Sequence, residues 1–380
     1  MLDRIQDNRI KIVRLMRVGC MILLALILLL GIILNFSRLN GDDIHRTAAR
    51  IAYGLGGELD QVEAIAFTEG ESRTVVPFKD GIVAVADDRI KVFDSTGLAF
   101  MNEQLVMDSP AVAVTARRIL VFDRGAKTAA VYDSFSQKQK LTFGQPIIDA
   151  AISESGAVIV AHKTEGYKSQ LTVYDNAFRE RYKWYASDTY ITATAVYGIP
   201  TRFACAGIRL DGEEMTCEVL CFDPKKSEPI ARIPVAGSFV YELRISDGNT
   251  AVCVTDQGYY LLDMNKGTVR HGSSFGQNSL GCYDITGSTL VFGLSGRTDQ
   301  GYEVLTVDLS SGKETKQYLP SAAESATAFG GTVYVMYGDD YYRLGDQTPV
   351  GECQRGEYRI DTAKDGSLLA LSTKQVRYVK

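Results

Sequence analysis

The chain has 380 residues, 46 % hydrophobic and 23 % charged, which is ample apolar material for a large core. Its net charge is −5, yet residues 1–36 carry five Lys/Arg against Asp3 and Asp7, leaving the remainder at −8. That acidic remainder excludes the concentrated basic surface a nucleic-acid partner requires.

Residues 1–17 form a basic tail, and seventeen uncharged residues follow between Arg17 and Asn35, VGCMILLALILLLGIIL, of which twelve are Leu, Ile or Val. On the insertion scale those twelve contribute about −5 kcal/mol, and at about 1.5 Å per residue the run spans roughly 26 Å. No polar face interrupts it, as one would on a core helix. The residues after it, NFSRLNGDD, offer no A-x-A-like cleavage site, and Cys20 precedes the apolar run where a lipobox cysteine would follow it. The expectation is an uncleaved transmembrane helix over 18–36. Five basic residues precede it, whereas Arg38, Arg46 and Arg50 follow, so the positive-inside rule places the N-terminus in the cytoplasm and the rest outside.

A linker over 37–61 contains Asp42 and Asp43, which suit the start of a short helix running to about Leu55 with Ile44, Ala48, Ile51 and Leu55 on one side. Gly54, Gly56 and Gly57 end it. Six cysteines (Cys205, Cys217, Cys221, Cys253, Cys282, Cys353) lie singly within apolar runs downstream. Buried free thiols are expected rather than a disulfide framework, and with no C-x-x-C pair no zinc site is expected.

From 62 onward one pattern repeats with a period near 40 residues. In PFKDGIVAVADDRIKVFDSTGLAF, Lys79-Asp80-Gly81 turns, Ile82–Ala86 is apolar, Asp87-Asp88 turns, Arg89–Phe93 alternates, and Asp94-Ser95-Thr96-Gly97 turns again. The third strand and its exit recur as Val92-Phe93-Asp94, Val131-Tyr132-Asp133, Val173-Tyr174-Asp175, Cys221-Phe222-Asp223, Leu261-Leu262-Asp263 and Thr306-Val307-Asp308, then in altered form near Tyr342 and Tyr378. Units of this size cannot bury both faces alone, but arranged radially they cover one another. The fold expected is all-β, a β-propeller of eight four-stranded blades over 62–380, with seven as the alternative count. The last unit ends three strands in, so the segment 62–68 is expected to supply its fourth strand and close the ring.

LLDMNKGTV, TVDLSSGKE and VFDSTGLAF share an apolar-apolar-Asp-x-x-Thr/Ser-Gly pattern. That pattern is similar to the repeat of pyrroloquinoline-quinone-type and WD40-like propellers. With the N-terminal anchor, the chain resembles an uncharacterised bacterial family of single-pass membrane proteins carrying such propellers. Quinoproteins of that type place a Trp after the glycine turn, whereas this chain has Trp184 alone. No cofactor is expected.

No catalytic motif is present: there is no H-E-x-x-H, and Gly293-Leu294-Ser295-Gly296 is one residue short of a nucleophile elbow. The loops joining second to third strands should share one face, around the channel. They hold Asp87, Asp88, Asp211, Glu213, Asp256, Asp299, Asp339 and Asp340, with Glu165 and Glu214, opposed by Lys127, Arg297 and Lys374. These make an expected acidic rim suited to a cation or a basic polypeptide segment, set against the ordinary preference of tight turns for Asp. Tyr259-Tyr260, Tyr341-Tyr342 and Tyr182, Trp184, Tyr185, Tyr190 read as strand residues. Arg179, Arg181 and Lys183 read as charges protecting an outer edge. The function expected is a non-catalytic, membrane-anchored, extracytoplasmic module that scaffolds or senses a protein or cell-envelope polymer. An anchored enzyme acting on glycans or redox substrates, and a cytoplasmic-facing propeller, are the alternatives.

Overall fold

The computed structural model describes residues 17–19, 21–23, 41–54, 60–67, 74–212 and 214–379. Two compact units result, Met1–Leu59 and Asp60–Lys380. In the first, Gly41–Gly54 is an α-helix whose opening turn carries Asp42 and Asp43, the favourable charge at that end of the helix dipole. Residues 18–19 and 21–23 of the apolar run are helical, and the rest of the expected membrane span lies outside the described residues. Among the described residues no helix is long and apolar enough to cross a membrane.

The second unit is a β-propeller of eight four-stranded antiparallel sheets. Blades 1 to 7 span 74–104, 110–142, 147–186, 189–235, 240–274, 280–319 and 325–352. Blade 8 takes its first three strands from 357–379 and its outermost from Ala64–Ala66, which pairs with Gln375–Val379 in the register Ala64↔Arg377, Ile65↔Val376, Ala66↔Gln375. Pairing the two ends of the unit in one sheet removes an open seam. The first strands of blades 1 to 5 lie against one another in turn, as do those of blades 6 to 8, on the inner side of the sheets.

Burial explains the sequence pattern strand by strand. Second strands such as Gly81–Val85, Ile119–Asp123 and Val158–His162 are buried at every residue, because neighbouring blades cover both faces. They therefore read as unbroken apolar runs rather than alternations. Outer strands have one wet face, and Glu180–Ala186 alternates exposed and buried side chains. Eight apolar clusters fill the eight gaps between blades. The cluster of Ile65, Ile82, Phe93, Leu371 and Tyr378 joins blade 8 to blade 1.

The aspartate that recurs at the third-strand exit of blades 1 to 6 is a turn cap. Asp94 Oδ1 accepts from Thr96 N and Leu98 N, Asp133 Oδ1 from Phe135 N and Ser136 N, and Asp263 Oδ1 from Asn265 N and Lys266 N. An Asx turn at a fixed point in the first six blades thus suffices to account for that part of the repeat. Gly81 is required for a different reason from the one its turn suggests. The positive φ falls on Lys79 at 56°, and a Cβ on Gly81 would sit 2.0 Å from Phe93 O. The six downstream cysteines are all free, with Cys205, Cys217, Cys221 and Cys253 buried.

Candidate functional site

Each blade runs from its first strand at the channel to its fourth at the rim, so every second-to-third turn sits on the face where the chain steps to the next blade. Main-chain bonds tie these features together: Leu105 N donates to Asp88 O at 2.9 Å, Asp256 N to Phe239 O at 3.2 Å, and Cys353 N to Asp339 O at 2.8 Å. The opposite face carries first-to-second and third-to-fourth turns, as where Lys364 N donates to Lys79 O across blades 8 and 1.

The acidic turns therefore share one face, at mid-radius rather than on the channel wall. They are dispersed, and several are engaged locally. Asp88 pairs with Arg89 at 2.8 Å, and Asp340 accepts the Tyr342 hydroxyl at 3.2 Å. Asp256 Oδ1 accepts Ser238 N at 2.7 Å and Phe239 N at 3.1 Å, so it fixes the entry into blade 5. Asp87 is half-buried, and Asp299 and Asp339 are exposed. Asp211 ends a strand on this face, and Glu213 lies outside the described residues. Among the described residues no group of three His, Cys, Asp or Glu side chains could hold a metal ion.

The same face carries an arc of aromatic rings over blades 3 to 5, in which Tyr185 and Tyr190, expected as ordinary strand residues, are joined by Tyr167, Phe239 and Tyr241. Tyr167, Tyr185, Tyr190, Phe239 and Tyr241 are each 41–50 % exposed. Tyr167 and Tyr185 rings lie 4.9 Å apart, Lys168 Nζ stands 4.9 Å from the Tyr190 ring, and Phe239 meets Tyr241 edge-on at 5.6 Å. Leu210 and Met215, paired across the long blade 4 hairpin, extend the apolar surface. A buried network supports it. Glu218 accepts Thr189 Oγ1 at 2.7 Å and Arg232 Nη1 at 2.9 Å, which anchors the residue before Tyr190. By contrast Tyr182, Trp184, Tyr259 and Tyr341 are buried in the core.

The channel wall is chemically asymmetric. The first strands of blades 1 and 2, Thr74–Phe78 and Pro110–Val114, carry no charge, whereas those of blades 3, 5, 6 and 8 carry charged groups. Register shifts at Ile147/Asp149, Val240/Glu242, Leu280/Cys282 and Glu357/Arg359 are β-bulges near the start of those strands. A bulge redirects the side chains that follow it. Asp149 Oδ2 accepts Thr194 N and Oγ1, both at 2.9 Å, and burial raises its pKa. Arg244 donates to Glu242 and to Ile285 O, each at 2.6 Å. Asp284 is held by the hydroxyls of Thr286 and Thr327, and Asp361 by Arg359. Burial, outweighing Arg359 and reinforced by Asp284, pushes Asp361 up to about 6. These positions were not singled out in the sequence because one charge in a short mixed strand carries no motif.

The remaining sequence candidates are structural. His162 is buried, with Nδ1 2.9 Å from Lys163 O and Nε2 3.3 Å from Thr172 Oγ1. Ser295 lies inside the strand Thr289–Thr298 and donates to Ser279 O. Arg179 and Arg181 clamp Asp175 at 2.9 and 2.7 Å and hold its carboxyl well below the usual range, a task beyond edge protection.

A model described as a family of unknown function, DUF5711, matches residues 58–349. No curated protein matches the chain. Among solved structures, BamB from Moraxella catarrhalis is similar at 14 % identity and a TM-score of 0.54, over 85 % of this chain and 100 % of that one. The β-propeller domain of Cps50 (Swd1) from Myceliophteria thermophila is similar at 11 % identity and a TM-score of 0.52, over 83 % and 98 %. At such identities the likeness is one of fold.

Proposed function

We propose, of a chain that belongs to the DUF5711 family of unknown function, that it is a membrane-tethered interaction module which captures a polypeptide on one face of its ring. The observation carrying this reading is the exposed arc of Tyr185, Tyr190, Phe239 and Tyr241, held on rigid strand ends. Aromatic rings on a preorganised surface supply large contact area at low entropic cost, which is why they dominate binding hot spots. The acidic turns on the same face would steer a basic partner. The apolar run at 18–34 supports a helical tether, and the basic excess before it supports an extracytoplasmic ring.

Replacing Tyr185, Tyr190, Phe239 and Tyr241 together by serine should abolish partner co-purification while leaving the melting transition in place. Undiminished co-purification would refute the reading. For the tether, a tag after Lys380 should become protease-accessible in intact wall-stripped cells, and protection until membrane lysis would place the ring in the cytoplasm. One observation favours an anchored enzyme instead: Asp361, whose pKa burial raises to about 6, lines one cavity with Asp284 and Glu324. Release of reducing ends from cell-wall glycan, lost in Asp361→Asn, would establish that reading.

A further inference from the structure

The channel mouth holds a cavity of about 290 Å³ between the first strands of blades 6, 7 and 8. Its walls include Tyr283 and Asp284 from blade 6, Glu324 just before the first strand of blade 7, and Tyr358, Arg359 and Asp361 from blade 8. The bulges at Leu280/Cys282 and Glu357/Arg359 shape it, and Tyr358, at the bulge of blade 8, is 49 % exposed. All three strands contribute residues near their starts, so the cavity opens on the face that carries the aromatic arc.

We infer that this cavity receives a cationic side chain, an arginine or lysine, from a polypeptide bound across the face. The inference rests on the capture reading above and names what the partner must carry. Asp284, Glu324 and Asp361 line it against Arg359, and the neighbouring Arg244, whose charge also reaches Asp284, is paired with Glu242, so the cavity keeps an excess of negative charge. Arg359 is committed to Asp361, and Asp284 is satisfied by the hydroxyls of Thr286 and Thr327, with no cation within ion-pair distance among the described residues. A half-buried carboxylate held by neutral donors gains from a cation that enters a low-dielectric site. Two phenol rings add the flat, electron-rich faces that stabilise guanidinium and ammonium groups. The upward shift of Asp361, caused by burial first and by the Asp284 charge after it, agrees, since an incoming cation offsets the cost of a charge held in that buried site. The volume suits one long side chain rather than a folded ligand.

The test is calorimetric titration of the full chain in detergent with Nα-acetyl-arginine methylamide, with the acetyl-norleucine amide as the uncharged control. Saturable binding of the arginine probe alone is expected. Asp284→Asn combined with Glu324→Gln should weaken it at least tenfold, and Tyr358→Ser, an exposed change that spares the fold, several-fold. Unshifted Trp184 fluorescence would certify both variants as folded. Equal binding of both probes, no saturable binding, or undiminished binding in the double variant overturns the inference. Calcium or magnesium binding without arginine binding overturns it too. Partner capture that survives the cavity substitutions but fails in the aromatic variant would remove this inference and leave the capture reading standing.

Discussion

Replacing Asp361 by asparagine isolates the electrostatics of the channel. The carboxyl is buried beside Asp284, and its pKa rises from 3.8 to about 6 despite Arg359. A shift of that size corresponds to roughly 3 kcal/mol of strain in the ionised form. Because the folded pKa lies above the unfolded one, the native state binds the proton more tightly. Stability from this group is therefore greatest below pH 4, falls as pH rises toward 6, and is flat above. The asparagine variant lacks that fall. Variant minus wild type should accordingly grow by roughly 3 kcal/mol between pH 4 and pH 7.5. Losing the Arg359 partner adds an offset that does not change across this range, so the slope carries the test. Urea unfolding followed through Trp184, the single tryptophan and a buried one, gives the measurement. A difference that stays level across pH would refute the assignment of a strained buried carboxylate.

Arg377 donates to Glu357 at 3.0 and 3.1 Å and to Glu352 O at 2.9 Å, while Tyr341 and Gln354 N also serve that carboxylate. Arg377→Ala leaves the buried Glu357 charge without its cation and should cost about 3–5 kcal/mol in urea unfolding; a loss under about 1 kcal/mol would show the network to be dispensable. Ile65 is buried in the closing strand, and Ile65→Ala should lower the global transition by about 2–5 kcal/mol, where mere local fraying would leave it unchanged. Burial pushes the Cys205 and Cys253 thiols far up and Cys221 to about 12. Iodoacetamide at pH 8 should leave these three unmodified in the native chain, as read by mass spectrometry, and modify them once urea is added.

Much of the architecture was legible because a propeller writes its geometry locally. Most blades repeat an apolar second strand, and the first six an aspartate-capped exit turn, and both follow from burial and backbone satisfaction within one unit. Even the closing strand could be located, since three strands at 357–379 leave a fourth place empty and the apolar segment at 62–68 has no other sheet to join. The site was less legible because it depends on radial position. Asp87 and Asp256 sit at turns that favour aspartate for backbone reasons, and Asp256 is spent on Ser238 N and Phe239 N. Tyr182 and Tyr185 lie three apart on one strand and so on opposite faces, the first core and the second exposed, but which face is covered depends on the neighbouring blade. Asp284 and Asp361 are 77 positions apart and meet only through the ring.

The most direct test of the central claim is site-specific photo-crosslinking in living cells, with the probe at Tyr241 on the aromatic face and at Lys266 on the opposite face. The account predicts a discrete cross-linked polypeptide from Tyr241 and none from Lys266. Cross-links from Lys266 alone, or from neither position, would contradict it.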